Sequence, residues 1–469
     1  MLAELKFDTS RVEHALHVFQ DMETIPERKI LEKILARKKM DIADLREKSI
    51  SATLEDGSMQ VWVMVGCERS EFEKQTMVRK ALAPIFEEEP ARIAISVSGD
   101  EGLAKVALYV AWINGQPLSS RKRKTPGRLE EIVLSGCTGE FLEVRAKALG
   151  NILARELTAL PPNALTPATY REKIAELAKA QGWAHREYDY DELEKMGAGA
   201  FCAVAQGSPD RDAAIVRLRY SPENARRKIS LVGKGICFDT GGHNLKPARY
   251  MHGMHEDMNG SAVALGILLS ASEAGLDAEI ECWLAIAQNH ISPRAYKQND
   301  VVKSLNGTTI EIVHTDAEGR MVLADALTLA SRERPGILID FATLTGSMGV
   351  ALGSRYSGIF GNEGGILDLA VSCGTKSGER LCAFPQDADY ENELESDAAD
   401  IKQCTLEGDA DHILACRFLG KFVEKSVPWL HVDLSSSNCK GGLGAVSTDI
   451  TGFGVNWGME FLQEWLGKC

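Results

Sequence analysis

Asp316, Glu318 and Arg320 stand at alternate positions in the octet Val313-His314-Thr315-Asp316-Ala317-Glu318-Gly319-Arg320. Extended backbone would send all three side chains to one face. Two carboxylates at close range repel, which raises one pKa unless a cation lies between them. A divalent metal would be that cation, leaving Arg320 to hold an anion or a polarised carbonyl. The plainer alternative is a polar strand end entering an acidic first helical turn, which the helix dipole favours. A second cluster of the same chemistry argues for the metal.

That cluster lies in Val232-Gly233-Lys234-Gly235-Ile236-Cys237-Phe238-Asp239-Thr240-Gly241-Gly242 and runs through Lys246-Pro247 to Asp257-Met258. Its glycines allow close approaches that a Cβ would block. Lys234 sits among apolar residues, where desolvation would lower its pKa and free an amine lone pair. Gly233-Lys234 is not a phosphate loop, because that motif needs a glycine five residues before the Gly-Lys pair and Ser or Thr after it. Hard oxygen ligands with a lysine amine, and no paired His or Cys, suit a water-activating divalent site rather than a structural zinc. His243, His255 and His290 read as supporting or packing residues.

These residues need elements to hold them. Thr308–Val313 has the β-branched content of a strand and Met321–Leu327 the apolar spacing of a helix. Strand and helix patterns alternate from residue 185 onward: strands at 213–220, 228–232, 279–287, 336–341 and 430–434, helices at 259–274 and 319–332. That alternation predicts a central, mostly parallel sheet flanked by helices, with ligands at the carboxyl ends of its strands. Asn306-Gly307 marks a hairpin. Upstream, 59–65 and 91–97 read as strands and 70–86 and 101–113 as helices, a small α/β unit with no cluster of acids, His or Cys. A long helix over 141–160 stops at Pro161-Pro162, and Thr166-Pro167 starts the next. The expected organisation is an N-terminal α/β domain at 1–140, a linker helix region at 141–168 and a larger catalytic domain at 169–469.

A chain of 469 residues exceeds the size at which one core stops growing. The formal net charge of −14 argues against nucleic acid or an anionic membrane as partner. The basic run Arg121–Lys124 reads as a solvated linker. No apolar stretch is long enough to span a membrane, and the first residues lack a signal pattern. The 11 cysteines form no Cys-x-x-Cys pair and sit in apolar segments, as buried thiols of a reducing compartment do. The cytoplasm is the expected location.

Val232-Gly233-Lys234-Gly235, Phe238-Asp239-Thr240-Gly241-Gly242, Lys246-Pro247, Asp257-Met258 and Thr315–Arg320 together resemble the leucine aminopeptidase (cytosol aminopeptidase) family of dinuclear zinc metallopeptidases. Pro161–Pro167 and Ala342-Thr343-Leu344-Thr345-Gly346 extend the resemblance over about 150–469. It implies one metal on Asp239, Asp316 and Glu318 and a second on Lys234, Asp239, Asp257 and Glu318. The ions would be zinc, or manganese or magnesium at one site. Lys246 would polarise the scissile carbonyl, and Arg320 would hold a bicarbonate acting as general base. Leu344 and Gly346 would offer backbone groups to the substrate, and Met254, Thr343 and Ser435 would line the pocket for its first side chain. The family assembles as hexamers, so a homohexamer acting on peptides is implied, with leucine-like first residues.

The chain departs from the family at His314 (commonly Asn), Met321 (Leu), Thr240 (Ser), Ala287–His290 and Ser435-Ser436-Ser437, where small apolar residues are common. The last of these puts the preferred first residue in question. Two other readings are a dipeptidase of narrow range, such as one acting on cysteinylglycine, and a catalytically silent structural protein on this scaffold. Loss of metal ligands would mark the silent protein, and none is lost.

Overall fold

The computed structural model describes residues 2–7, 12–124 and 126–467. Their strands form two large sheets and one small one. The first sheet has six strands, in the order Glu4–Phe7, Glu131–Ser135, Arg92–Ser98, His14–Phe19, Met59–Met64, Ile50–Thr53. Only its last pair is antiparallel. Helices Glu71–Glu87 and Glu101–Asn114 bury apolar residues against it, including Val78, Leu82, Leu108 and Trp112.

The second sheet has eight strands, ordered Leu381–Ala383, Ser357–Gly361, Trp429–Asp433, Ile337–Ala342, Lys228–Asp239, Glu279–Asn289, Ala214–Tyr220, Ala184–Asp189. The four central strands run parallel, and antiparallel joins flank them. Helices cover both faces. Asn259–Glu273 and Val455–Gly467 contribute to one apolar core, and Glu318–Arg332 and Asp411–Gly420 to the other. The Asn306-Gly307 hairpin joins the antiparallel strands Val301–Lys303 and Thr309–Glu311.

Helix Leu142–Thr158 ties the two sheets together. Its early residues Val144 and Ala148 enter the N-terminal core, and Ala154 and Leu157 enter the core of the larger sheet. It crosses helix Asn259–Glu273 at paired glycines: a Cβ on Gly150 would lie 2.2 Å from the Gly266 carbonyl oxygen. Buried Arg155 donates to the Ile113 carbonyl and to Thr448 Oγ1.

The strand expected to end near 232 runs on to Asp239. Gly233 and Gly235 therefore lie inside it rather than in a turn. The reason is packing, because a Cβ on Gly233 would meet the Ser261 Cα at 2.4 Å and the Gly260 carbonyl oxygen at 2.7 Å. Gly233→Ala is expected to overpack this contact and destabilise the protein by about 1–3 kcal/mol, read as a lower midpoint in urea.

Glu379 is half-buried, and its Oε2 accepts from the backbone N–H groups of Gly454 (2.9 Å) and Trp457 (2.7 Å) at the start of the last helix. Burial pushes its carboxyl up to about 7, although the backbone donors pull the other way. A folded-state pKa above the unfolded value means that the folded state binds the proton more tightly. This stabilisation is fully present below the unfolded carboxyl pKa and is lost as pH rises toward 7. Glu379→Gln keeps an acceptor for both donors. Its thermal midpoint relative to wild type is expected to improve between pH 5 and pH 8; scanning calorimetry at the two pH values checks this.

Candidate active site

The parallel strands Lys228–Asp239, Ile337–Ala342 and Trp429–Asp433 end at one edge of the larger sheet, and a cavity of about 1150 Å³ opens there. Lys234 and Asp239 come from the first of these strands, and Lys246 from the loop after it. Met254 opens a single 3-10 turn and Asp257 follows it. Asp316 lies in the turn before helix Glu318–Arg332, and Glu318 and Arg320 are in that helix's first turn. Thr343 and Leu344 follow the second strand, Gly346 starts helix Gly346–Leu352, and Ser435 follows the third strand. Every one of these residues lines the same cavity.

The octet is not extended. Glu318 and Arg320 are helical, so Asp316 and Glu318 meet because the chain turns between them, not because alternate residues share a face. A helix start there also aims its partial positive charge at the acids. Oxygens of Asp239, Asp316 and Glu318 lie within 4.8 Å of one another. Lys246 Nζ bridges Asp239 (2.8 Å) and Asp316 (2.5 Å). Lys234 Nζ contacts Asp257 and Glu318, each at 2.8 Å, and donates to the Thr343 carbonyl at 3.0 Å.

The site has more acid than base. Four buried or half-buried carboxylates face two ammonium groups, so burial and mutual repulsion act on the acids. Burial pushes Asp257 up to about 8, against the pull of Lys234 and with Glu318 and Asp239 adding to the rise. Burial likewise raises Asp239 and Asp316. The expected lowering of Lys234 does not hold for the protein without metal. Desolvation does work in that direction, but Asp257, Glu318 and Asp239 together hold the group well above its ordinary value. Burial and then Lys246 hold His314 below the usual imidazole range.

Neighbouring residues fix this geometry. Asn289 Nδ2 donates to Asp239 Oδ1 (2.8 Å) and to the Thr315 carbonyl (2.9 Å), and the Gly241 N–H also donates to Asp239 Oδ1. Gly241 has φ +85°, and a Cβ there would lie 2.5 Å from the Asn244 carbonyl oxygen. Thr343 Oγ1 donates to Asp257 Oδ1 (2.7 Å). Asp433 accepts from the Leu344 N–H and from Thr345 Oγ1, pinning the segment that follows strand Ile337–Ala342. Asp411 and Gln403 hold Arg320. Of these residues, Gly241, Asn289 and Thr343 lie in segments singled out from the sequence and Asp433 in the strand expected at 430–434, whereas Gln403 and Asp411 carried no signal there. Of His243, His255 and His290, His255 lines the cavity, as do His252 and His314. His243 and His290 bond through Nδ1 to the carbonyls of Tyr296 and Ile291.

A pair of dications fits this donor set. Asp257 Oδ2 is buried with no hydrogen-bond partner, a cost on the order of 1–3 kcal/mol that a metal bond removes. The two lysines already occupy cation positions among the acids. Gly319 keeps the space open, since a Cβ there would lie 2.7 Å from Lys234 Nζ.

The sequence profile of the cytosol aminopeptidase family's catalytic domain matches residues 152–457. The "Probable cytosol aminopeptidase" of Persephonella marina is 38% identical over 62% of this chain, and the match spans 60% of that relative. The Chlorobaculum tepidum protein of the same name is 35% identical over 73% of this chain and 70% of its own length. Among solved structures, the bottromycin maturation enzyme BotP in complex with Mn is similar at a TM-score of 0.86 and 28% identity, covering 97% of this chain and 99% of that one. With that family profile matched over most of its length, the chain belongs to the cytosol aminopeptidase family.

Proposed function

We propose that the protein is a metalloaminopeptidase that removes the N-terminal residue from peptides, with leucine-like first residues preferred. The convergence of Lys234, Asp239, Asp257, Asp316 and Glu318 on one cavity carries this reading. Asp239, Asp316 and Glu318 would hold one divalent ion. Lys234, Asp239, Asp257 and Glu318 would hold the second, with the lysine as a neutral amine. Zinc suits both places, with manganese or magnesium at one; the manganese in the BotP complex supports that exchange. Such ions, when bound, lower the pKa of a shared water and polarise the scissile carbonyl.

The chain's own residues supply the rest. Lys246, released from Asp239 and Asp316 once dications balance those acids, points its ammonium at the oxygen of the tetrahedral intermediate. Backbone groups of Leu344 and Gly346 align the substrate main chain, and Met254, Thr343 and Ser435 surround its first side chain. A free substrate α-amine would ligate one of these ions, which would restrict cleavage to the N-terminal residue. A bicarbonate base at Arg320, which the family resemblance implies, meets an obstacle: Asp411 is already on that guanidinium.

A narrower reading, a cysteinylglycine hydrolase, is separated from this one by a peptide panel. The presence of every ligand side chain disfavours a silent scaffold. No described helix is long and apolar enough to cross a membrane, in keeping with work in the cytoplasm. Assembly as a homohexamer is the matching quaternary proposal, read by light scattering. The decisive assay is release of p-nitroaniline from leucine-p-nitroanilide, with a dipeptide and longer-peptide panel, after loading with zinc or manganese. Hydrolysis of many peptides from the N-terminus is expected. No release from any substrate would end the proposal, and activity confined to cysteinylglycine would replace it with the narrower one.

A further inference from the structure

The guanidinium of Arg320 is the cationic group nearest in sequence to the metal-binding acids, and it is already engaged. Arg320 is 2% exposed. Its Nη2 donates to both carboxylate oxygens of Asp411, at 2.8 and 2.9 Å, and its Nη1 donates to the Gln403 carbonyl at 3.1 Å. Only Nε, itself buried, has no hydrogen-bond partner among the described residues. A planar anion such as bicarbonate binds a guanidinium by two parallel donors. The two N–H groups left, on Nε and Nη1, make no such pair, because each parallel pair of a guanidinium includes Nη2, which Asp411 already holds, so the residues present do not fit an exogenous bicarbonate.

What occupies the seat is a carboxylate of this chain. Asp411 opens helix Asp411–Gly420, next to the helix's partial positive end. The residue before it, Ala410, is held at φ 51°, a left-handed conformation unfavourable for a residue with a Cβ. The neighbouring His412 is fixed through its backbone N–H and its Nδ1, each 3.0 Å from Ser347 Oγ. Asp411 is thus clamped on both sides, yet its side chain keeps 22% exposure and faces the same cavity as Glu318 and Leu344.

We infer that Asp411 replaces bicarbonate as the proton acceptor of the hydrolytic step, so that the chain carries its own general base and works without the dissolved anion. This rests on the aminopeptidase reading. As the water oxygen bonds to the scissile carbonyl carbon, a water proton passes to an Asp411 carboxylate oxygen. The carbonyl electron pair moves onto oxygen, where Lys246 stabilises it. Collapse of the intermediate breaks the C–N bond, and Asp411 returns its proton to the leaving amine. The sum is one water consumed per peptide bond.

The test pairs kinetics with a binding measurement. In carbon-dioxide-free buffer the wild-type rate is expected to change less than about twofold on adding bicarbonate, and calorimetry is expected to show no bicarbonate binding. Asp411→Asn should lower kcat by about 100-fold or more, and bicarbonate should not restore it because the amide still fills the seat. Asp411→Ala should lose as much, regain at least about tenfold with bicarbonate or formate, and bind bicarbonate in the calorimeter. Bicarbonate binding or bicarbonate-dependent turnover in the wild type overturns the inference, and so does an Asp411→Asn enzyme of undiminished rate. If the alanine variant fails to fold, the near-isosteric asparagine and the wild-type arms decide the question. If the wild type cleaves no peptide at all, the aminopeptidase reading fails, while the calorimetric arm still judges whether the seat is taken.

Discussion

Glu318→Ala is expected to lose two ions at once and to lower kcat/KM by about 1000-fold or more. Its carboxylate is proposed to touch both metals, and it is the first residue of helix Glu318–Arg332, packed at 1% exposure between Lys234 and the acids. No neighbouring side chain can substitute for it, because Asp239, Asp257 and Asp316 are already committed to ligand positions. Dinuclear activation of water contributes several kcal/mol of transition-state stabilisation, and each 1.4 kcal/mol is about tenfold in rate. The same variant carries a readout independent of turnover. A ligand present at 100 times its Kd adds about 2.7 kcal/mol to the folded state, several degrees in the thermal midpoint. The wild type should show that rise on metal addition and Glu318→Ala should not. A variant that keeps both the metal-induced rise and the rate would place the ions elsewhere.

The second large effect belongs to Lys246. Its removal is expected to cost about 100- to 1000-fold in kcat, with little change in KM, because the charge it meets develops only in the transition state. Lys246→Ala should still bind two ions, which separates its role from that of the acids. Lys246→Arg is not a conservative exchange. The loop carrying it is held by Lys246 N–H to the Thr240 carbonyl (3.0 Å), and the planar guanidinium reaches farther than the ammonium. Retained kcat in the alanine variant, with ions bound, would show that Lys246 only balances charge.

Much of this site could be read before any coordinates. The octet, the Gly-rich segment and Asp257-Met258 beyond it contain every proposed ligand, because a divalent ion needs hard donors at fixed places. The alternating strand and helix patterns led to the larger sheet because its central strands, covered on both faces, read as short continuous apolar runs. What escaped reading is of a different kind. Gly233 and Gly235 look like turn residues, yet they serve helix–strand contact within a long strand, and only the position of Ser261 distinguishes the two. Asp316 and Glu318 suggest an extended strand by their spacing, whereas a helix starts between them. Asp411 stands 91 residues from Arg320 with no motif around it. A charge pair across that distance exists only once the sheet has ordered its strands. Glu379 was silent in the same way, since its elevated pKa comes from burial against a helix start far along the chain.

Diffraction from crystals soaked in manganese, recorded at the manganese edge, tests the central claim most directly. Two anomalous peaks are expected in the cavity, each about 2.0–2.2 Å from carboxylate oxygens. One should lie among Asp239, Asp316 and Glu318, the other among Asp239, Asp257 and Glu318 with Lys234 Nζ turned onto it. No peak there, or a single ion held on another surface while Lys234 and Lys246 remain paired with the acids, would contradict the account.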